Sequence, residues 1–273
     1  MKFILVSTPI IIPTILLLLQ HRMIYFPRKY DSIYLSDIKK VISLSYQTSQ
    51  GKQTAFYVPP YLYESPEIIW ILFSGNASLA MDWYDMVERF SARRIGFLLI
   101  DYPGYGFCSG KASPNTILET SQIAFQALCE HIGKTKMQQI KIGLMGHSLG
   151  AATCLQFATH LDNIHHIILV SPFTSMIEMA KRVVGIPLCY ILRHRYDNVN
   201  QLTQLKKKHT QLHVTLFHGT IDDVISVDMG RTIHDLFPQM IQYHESVMCD
   251  HNSILSTIEP SVFNIWRMNH DKN

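Results

Sequence analysis

The sequence predicts an α/β fold: a mostly parallel, eight-stranded sheet flanked by helices, in one domain behind an apolar N-terminal segment. Three observations lead there. From about residue 40 onward, short apolar runs alternate with stretches of helical period, the pattern of repeated βαβ units. The later runs are nearly continuous and β-branched, as strands covered on both faces must be. At 273 residues the chain can build one large core that needs no disulfide staples.

In chain order, the strand candidates are Val41–Tyr46, Thr54–Val58, Ile68–Phe73, Phe97–Ile100, Ile140–Met145, Ile164–Val170, Leu212–Phe217 and Ile241–His244. Helical patterns fall at Met81–Arg93, Asn115–His131, Leu149–His160, Val227–Phe237 and Ser253–Met268. Pro114-Asn115-Thr116 with Glu119 reads as a helix start, and Gly133 as its stop. The stretch 171–208 breaks the alternation with Pro172, Gly185 and Pro187. It is too long for a plain connection and predicts a small helical cap. Residues 23–273 then form the folded domain.

Phe3 to Leu19 is apolar except for Ser7, Thr8 and Thr14, with no charge between Lys2 and His21. As a helix this run spans roughly 25 Å, the short end of a membrane crossing. Tyr25, Phe26, Arg28, Lys29 and Tyr30 follow, types that suit a headgroup interface. Residues 1–22 are therefore expected to be a single-pass N-terminal membrane anchor, with a signal peptide or a buried helix as the competing readings. The nearly even cations on its two flanks leave its orientation open.

Composition narrows the functions. Apolar residues make up 47% and charged ones 16%, which excludes a disordered chain. A net charge of +3 spread over both signs leaves no stripe for nucleic acid. The five cysteines form no C-x-x-C pair, and no H-E-x-x-H is present, so neither a metal nor any cofactor is expected.

The chemistry centres on Gly146-His147-Ser148-Leu149-Gly150, placed between a buried strand and an Ala/Leu-rich helix. That context turns a weak motif into a candidate nucleophile elbow, in which small residues must flank a sharply turned serine. A serine needs a base, and the base an orienting acid. Asp222 and Asp223 lie just past one strand, and His251 past the last, the strand-end positions where such a sheet collects reactive groups. Of 14 histidines, His251 stands out by position, with His244 and His218 as alternatives. The oxyanion of an attacked carbonyl needs two backbone N–H donors. Leu149 is expected to supply one and the Ser74–Ser78 loop the other, through Asn76 or alternatively Ala77. Asp101–Gly106 reads as a structural turn.

Together these residues resemble a family. Tyr25-Phe26-Pro27, Gly75-Asn76-Ala77, Asp101-Tyr102…Gly104-Tyr105-Gly106, GHSLG, Ser171-Pro172-Phe173, His218-Gly219-Thr220…Asp222 and His251-Asn252 occur in that order. The set is similar to the membrane-anchored α/β-hydrolase-domain proteins, the Bem46-like serine hydrolases. The resemblance implies the α/β-hydrolase fold, esterase, lipase or thioesterase activity, and Asp222 rather than Asp223 as the acid. Ser74 stands where the family usually has His, Pro103 and Cys108 replace its common Arg and Ser, and Met248-Cys249-Asp250 lacks the usual glycine.

The expected protein is thus a membrane-tethered serine hydrolase using Ser148, Asp222 and His251 on an acyl ester or thioester, borne by a lipid or an acylated protein. A peptidase or amidase, and an inactive membrane-tethered binding module, are the competing classes. Phe173, Met176, Met179, Leu188 and Tyr190 of the cap are the candidates for an acyl pocket.

Overall fold

A computed structural model describes residues 8–31, 40–90 and 93–268. Helix α1 (Thr8–Ile24) leads into an antiparallel hairpin, β1 (Ile42–Thr48) and β2 (Gly51–Val58). Strand β3 (Ile68–Phe73), a 3-10 turn (Ala80–Trp83), α2 (Tyr84–Glu88) and β4 (Ile95–Ile100) come next. Then follow α3 (Pro114–Ile132), the short α4 (Lys134–Met137), β5 (Lys141–His147), α5 (Leu149–Ala158) and β6 (His166–Val170). The chain closes with α6 (Met176–Val184), a 3-10 turn (Leu188–Ile191), α7 (Asn198–Lys208), β7 (His213–Gly219), α8 (Val227–Leu236), β8 (Ile241–Ser246) and α9 (Ile254–Met268).

The eight strands form one sheet in the order β1-β2-β4-β3-β5-β6-β7-β8, with β2 antiparallel to β1 and β4 and every later pairing parallel. This is the α/β-hydrolase fold that the sequence predicts. Every predicted strand is present, with ends differing by up to three residues. The continuous apolar runs have a simple cause. In β3, Ile69, Ile71 and Phe73 face the core under α3, α5, α7 and α8, while Ile68, Trp70 and Leu72 face the core under α2 and α9. Both faces are dry, so neither parity can be polar.

Two predicted elements differ. Met81–Arg93 is not one helix but a 3-10 turn followed by the five-residue α2. The helical stretch 171–208 is only partly cap, because α7 buries Leu202 and Leu205 in the core beside α5. Helix α7 is the crossover from β6 to β7, required by the parallel pairing of those strands. The segment over the sheet edge is α6 and the turn 188–191.

Helix α1 lies against that segment. The buried Gln20 accepts a hydrogen bond from the backbone N–H of Arg193 at 2.8 Å. Next to it, Tyr25 and His194 meet edge to face with centroids 5.4 Å apart. Residues 1–7 of the expected anchor lie outside the described residues. Among the described residues no helix is long and apolar enough to cross a membrane.

The second core is built around Trp266 of α9, whose ring lies 4.9 Å from Phe97, 5.2 Å from Phe90 and 6.0 Å from Trp70. Truncating such a side chain leaves a cavity that surrounding strands cannot close. Trp266→Ala is expected to lower the unfolding free energy by about 3–5 kcal/mol in urea titrations, and Trp266→Phe by clearly less.

Candidate active site

Strand β5 ends at His147 and α5 begins at Leu149, leaving Ser148 to make the whole turn. Its backbone sits at φ 56°, ψ −119°, a conformation costing a side-chain-bearing residue about 1–3 kcal/mol. The Ser148 N–H donates to the carbonyl of Val170 at 2.9 Å, which helps hold it there. The turn is also why both flanking positions are glycine. A Cβ on Gly146 would lie 2.2 Å from the Gly150 carbonyl oxygen, and one on Gly150 would lie 2.1 Å from that of Phe73. Backbone cannot retreat from such contacts as a flexible side chain can.

The loops after β7 and β8 supply an acid and a histidine. Nδ1 of His251 donates to Oδ2 of Asp222 at 2.8 Å, with both side chains largely buried. Oδ1 of Asp222 accepts from the N–H groups of Ile225 at 2.7 Å and Val224 at 3.0 Å. Burial pushes the Asp222 carboxyl upward, but donors from His218, His251 and Ile225 outweigh it and hold the group far below the usual carboxylate range. Nε2 of His218 donates to the carbonyl of Ile225 at 2.8 Å and stays 3.5 Å from Asp222. His218 is therefore a buttress of the acid turn. Asp223 is exposed, and His244 stacks on Phe217 at 5.2 Å.

His147, which sequence reasoning passed over, links the two halves. Its Nε2 donates to the backbone carbonyl of His251 at 2.9 Å, and the two rings lie 4.8 Å apart. This brings the β8 loop beside the serine turn. Burial, and next the neighbouring His251, lower its pKa to about 4. The Ser148 hydroxyl makes no hydrogen bond to His251 among the described residues, a contact that tightens with substrate in many such sites.

The Asn76 side chain is held at both its oxygen and its nitrogen. Its Oδ1 accepts from Tyr105 Oη at 2.8 Å and from the N–H groups of Phe26 and Ala77 at 3.0 Å, and its Nδ2 donates to the Ile24 carbonyl at 2.6 Å. The Ala77 N–H is thereby used, whereas the N–H groups of Asn76 and Leu149 have no acceptor among the described residues. The Asp101–Gly106 turn braces this loop. Tyr102 Oη donates to the Ser74 carbonyl at 2.7 Å, and Asp101 accepts from Tyr30 Oη at 2.7 Å and the Ala80 N–H at 2.8 Å.

Ser148, Leu149 and Asn76 form the floor of a cavity of about 290 Å³. Its walls come from α6 (Met176, Met179, Val183), from the turn 188–191 and from Phe173. Of the five cap residues expected there, Tyr190 is absent from the lining and 56% exposed. A further wall is α1, through Leu16, Gln20, Met23 and Ile24. No sequence signal ties α1 to this cavity, since over 120 residues separate it from the serine in the chain. Among the described residues no charged side chain lines the cavity.

The departures from the family pattern are absorbed locally. Ser74 Oγ accepts from Trp83 Nε1 at 2.9 Å and donates to the Leu79 carbonyl. Met248, where glycine is usual nearby, takes the positive φ of 57° itself. Asp250 then caps the N–H groups of Asn252 and Ser253, so His251 is still presented to Asp222. Among the described residues no cluster of His, Cys, Asp or Glu could hold a metal ion.

Residues 64–199, just under half the chain, match the model of a family described as serine aminopeptidase, S33 (Hydrolase_4). Alpha/beta hydrolase domain-containing protein 17C of Homo sapiens is 27% identical over 142 residues, 52% of this chain and 40% of that protein. The match thus spans about two fifths of that relative's length. An α/β hydrolase of Acanthamoeba polyphaga mimivirus is 28% identical over 216 residues, covering 77% of this chain and 76% of that one. Among solved structures, an esterase of Pyrococcus furiosus superposes with a TM-score of 0.66 at 12% identity, over 89% of this chain and 95% of that one. An acylaminoacyl peptidase of Pyrococcus horikoshii gives 0.60 at 11%, over 88% and 42%. The chain has the α/β-hydrolase fold.

Three buried groups set the pH response. His147 and His166 are both held at about 4 by burial, so the unfolded chain binds more protons than the folded one between pH 4 and 6.5. Stability present above pH 6.5 is therefore lost as pH falls toward 4, by about 3 kcal/mol per histidine. Asp101, raised by burial to about 6, works the other way over its own window and offsets about one histidine. Urea titrations are expected to show a net loss of about 3 kcal/mol from pH 7 to pH 4, deepened in Asp101→Asn. A rise in stability toward pH 4 would contradict these assignments.

Proposed function

We propose that the protein is a serine hydrolase that cleaves carboxylic esters or acyl thioesters through an acyl-enzyme on Ser148. The observation that carries this reading is the buried Asp222–His251 pair, tied through His147 to a serine on a strained turn at the floor of an apolar cavity. With Nδ1 of His251 bonded to Asp222, Nε2 is left to take the proton from Ser148 Oγ as it attacks the substrate carbonyl. Asp222, held ionised, stabilises the imidazolium that forms. The N–H groups of Leu149 and Asn76 receive the oxyanion. His251 then protonates the departing alcohol or thiol and activates water to release the acid.

The cavity favours an acyl group over a peptide. A charged amino terminus would find no counter-ion along its lining among the described residues, and desolvating an unpaired ammonium is costly. Methionine and leucine walls can adapt to a flexible chain, each buried CH₂ adding up to about 0.8 kcal/mol. The family description and the peptidase neighbour make amide cleavage the competing outcome.

A fluorophosphonate probe is expected to label the protein, and Ser148→Ala to abolish labelling with the fold intact. Asp222→Asn and His251→Ala should each lower kcat by roughly 10⁴-fold, whereas Asp223→Asn retains most activity. Equal labelling of Ser148→Ala would sink the reading, and a dead Asp223→Asn would move the acid by one residue.

On p-nitrophenyl esters, kcat/KM is expected to climb from acetyl to medium-chain acyl groups. Met179→Trp, which fills the cavity from α6, should shift the optimum toward shorter acyl groups while leaving acetyl hydrolysis nearly unchanged. A profile that is flat beyond acetyl, with fast hydrolysis of peptide amides, would favour the peptidase.

A further inference from the structure

A second cavity, of about 230 Å³, adjoins the serine turn against α2 and α9 rather than against α1 and α6. Ser148 and Asn76 line the first cavity, and their chain neighbours His147 and Gly75 line the second. The two spaces therefore share the backbone that brings the serine and the Asn76 N–H together. Gly75 and His147 are buried, whereas Asp82, Asp85 and Arg89 are exposed. The second cavity thus runs outward from the serine turn to a polar rim. Its chemistry is opposite to that of the apolar first cavity, for Asp82, Asp85, Arg89 and Glu259 all line it. Three of these four are acids.

Two of the acids are matched. Asp82 pairs with Arg28 at 3.0 Å, and Glu259 with Arg89 at 2.6 Å. Arg89 is further held by its Nε, which donates to the Asp85 carbonyl at 3.0 Å. The Asp85 carboxylate makes no ion pair among the described residues, so the rim keeps a negative excess. At the inner end a second polar group lacks a partner. His147 is only 3% exposed, and its Nε2 donates to the His251 carbonyl. Burial keeps the ring neutral at pH 7, which leaves Nδ1 as an acceptor. Among the described residues no donor reaches that atom. It faces Gly75, where a Cβ would lie 2.8 Å from it, so the glycine keeps the space beside it open. A buried acceptor left unmatched is unfavourable, and a ligand donor placed there removes the penalty.

We propose that the second cavity receives the leaving group of the substrate and selects an alcohol that carries a primary ammonium. The carboxylates of the rim attract the cation, and its N–H groups can satisfy Nδ1 of His147. A quaternary ammonium has no N–H to give, and a carboxylate would meet like charge at Asp85. A bare metal ion fits less well, since among the described residues no cluster could hold one. With the acyl group in the first cavity, Ser148 Oγ bonds to the acyl carbon and the bond from that carbon to the leaving oxygen breaks. His251 passes to that oxygen the proton it took from Ser148, which frees the amino alcohol into the second cavity. The leaving-group role rests on the acyl-hydrolase reading, whereas affinity for the ammonium does not.

The test has a binding arm and a kinetic arm. In the full chain carrying Ser148→Ala, NMR titration is expected to show aminopentanol binding severalfold more tightly than its trimethylammonium analogue, and hydroxyhexanoate more weakly than either. Adding Asp85→Asn should weaken aminopentanol binding about tenfold, and Asp85→Glu should restore most of it, with far-UV circular dichroism reporting an intact fold. In the active enzyme, kcat/KM for aminopentyl hexanoate should exceed that for the isosteric hexyl hexanoate about tenfold at low salt. That gap should close in Asp85→Asn and narrow in high salt. Aminopentanol binding that is undetectable, no tighter than that of the trimethylammonium analogue, or unchanged in Asp85→Asn overturns the ammonium site. Equal kcat/KM for the two esters overturns its use by the leaving group. If Ser148→Ala binds aminopentanol as expected while wild type hydrolyses neither ester, the acyl-hydrolase reading fails and the ammonium site stands.

Discussion

A carboxylate with no exposed side-chain surface has to be surrounded by donors, and much of the architecture around Asp222 meets that demand. Leaving such a charge unpaired costs several kcal/mol. Two backbone N–H groups of the 222–225 turn, the ring of His251 and the ring of His218 supply the donors. Each brings its own requirement. His218 must be anchored on the Ile225 carbonyl, and the β8 loop must pass so close that a Cβ on Gly219 would lie 2.2 Å from the Cys249 carbonyl oxygen. His147 then fastens the His251 backbone to the end of β5. One buried charge thus couples the ends of three strands.

The opposite rim depends on a segment remote in sequence. Asn76 uses both ends of its side-chain amide to bind the backbone of Ile24 and Phe26, the Ala77 N–H and the Tyr105 hydroxyl. The loop that offers the Asn76 N–H is therefore clamped by the exit of α1, and α1 itself walls the cavity. The cavity and the proposed oxyanion donors share this support, so a disturbance of the N-terminal helix reaches both.

The candidate site residues could be singled out in the sequence because the proposed chemistry restricts both residue type and place. Only small residues fit beside Ser148 on its turn, and only strand-end loops could carry Asp222 and His251 toward it. The choice between Asp222 and Asp223 was not readable from spacing and came from the family resemblance. In the structure Asp223 points to solvent while Asp222 meets His251. His147 looked like the variable position of a motif, since nothing local marks a ring that will reach a carbonyl 104 residues away. Tyr190 read as one more apolar cap residue, yet its backbone carbonyl is held by Arg195 and its ring faces out.

Alternation of apolar runs, helix caps and small residues at the elbow act over a few neighbours, so the sequence by itself determined the strands, their order of appearance and the sharp turn at Ser148. The split of 171–208 into a cap and the buried crossover α7 was decided only by parallel pairing of β6 with β7. The lining of the cavity was decided likewise, because which side chains share a space depends on how distant elements pack. Helix α1 shows the difference most clearly. Its apolar character is plain in the sequence, but a helix apolar on every side carries no mark of which face will find a partner. That face was chosen by the cap it lies against, through the bond from Arg193 to Gln20 and the cavity that Leu16 and Met23 complete.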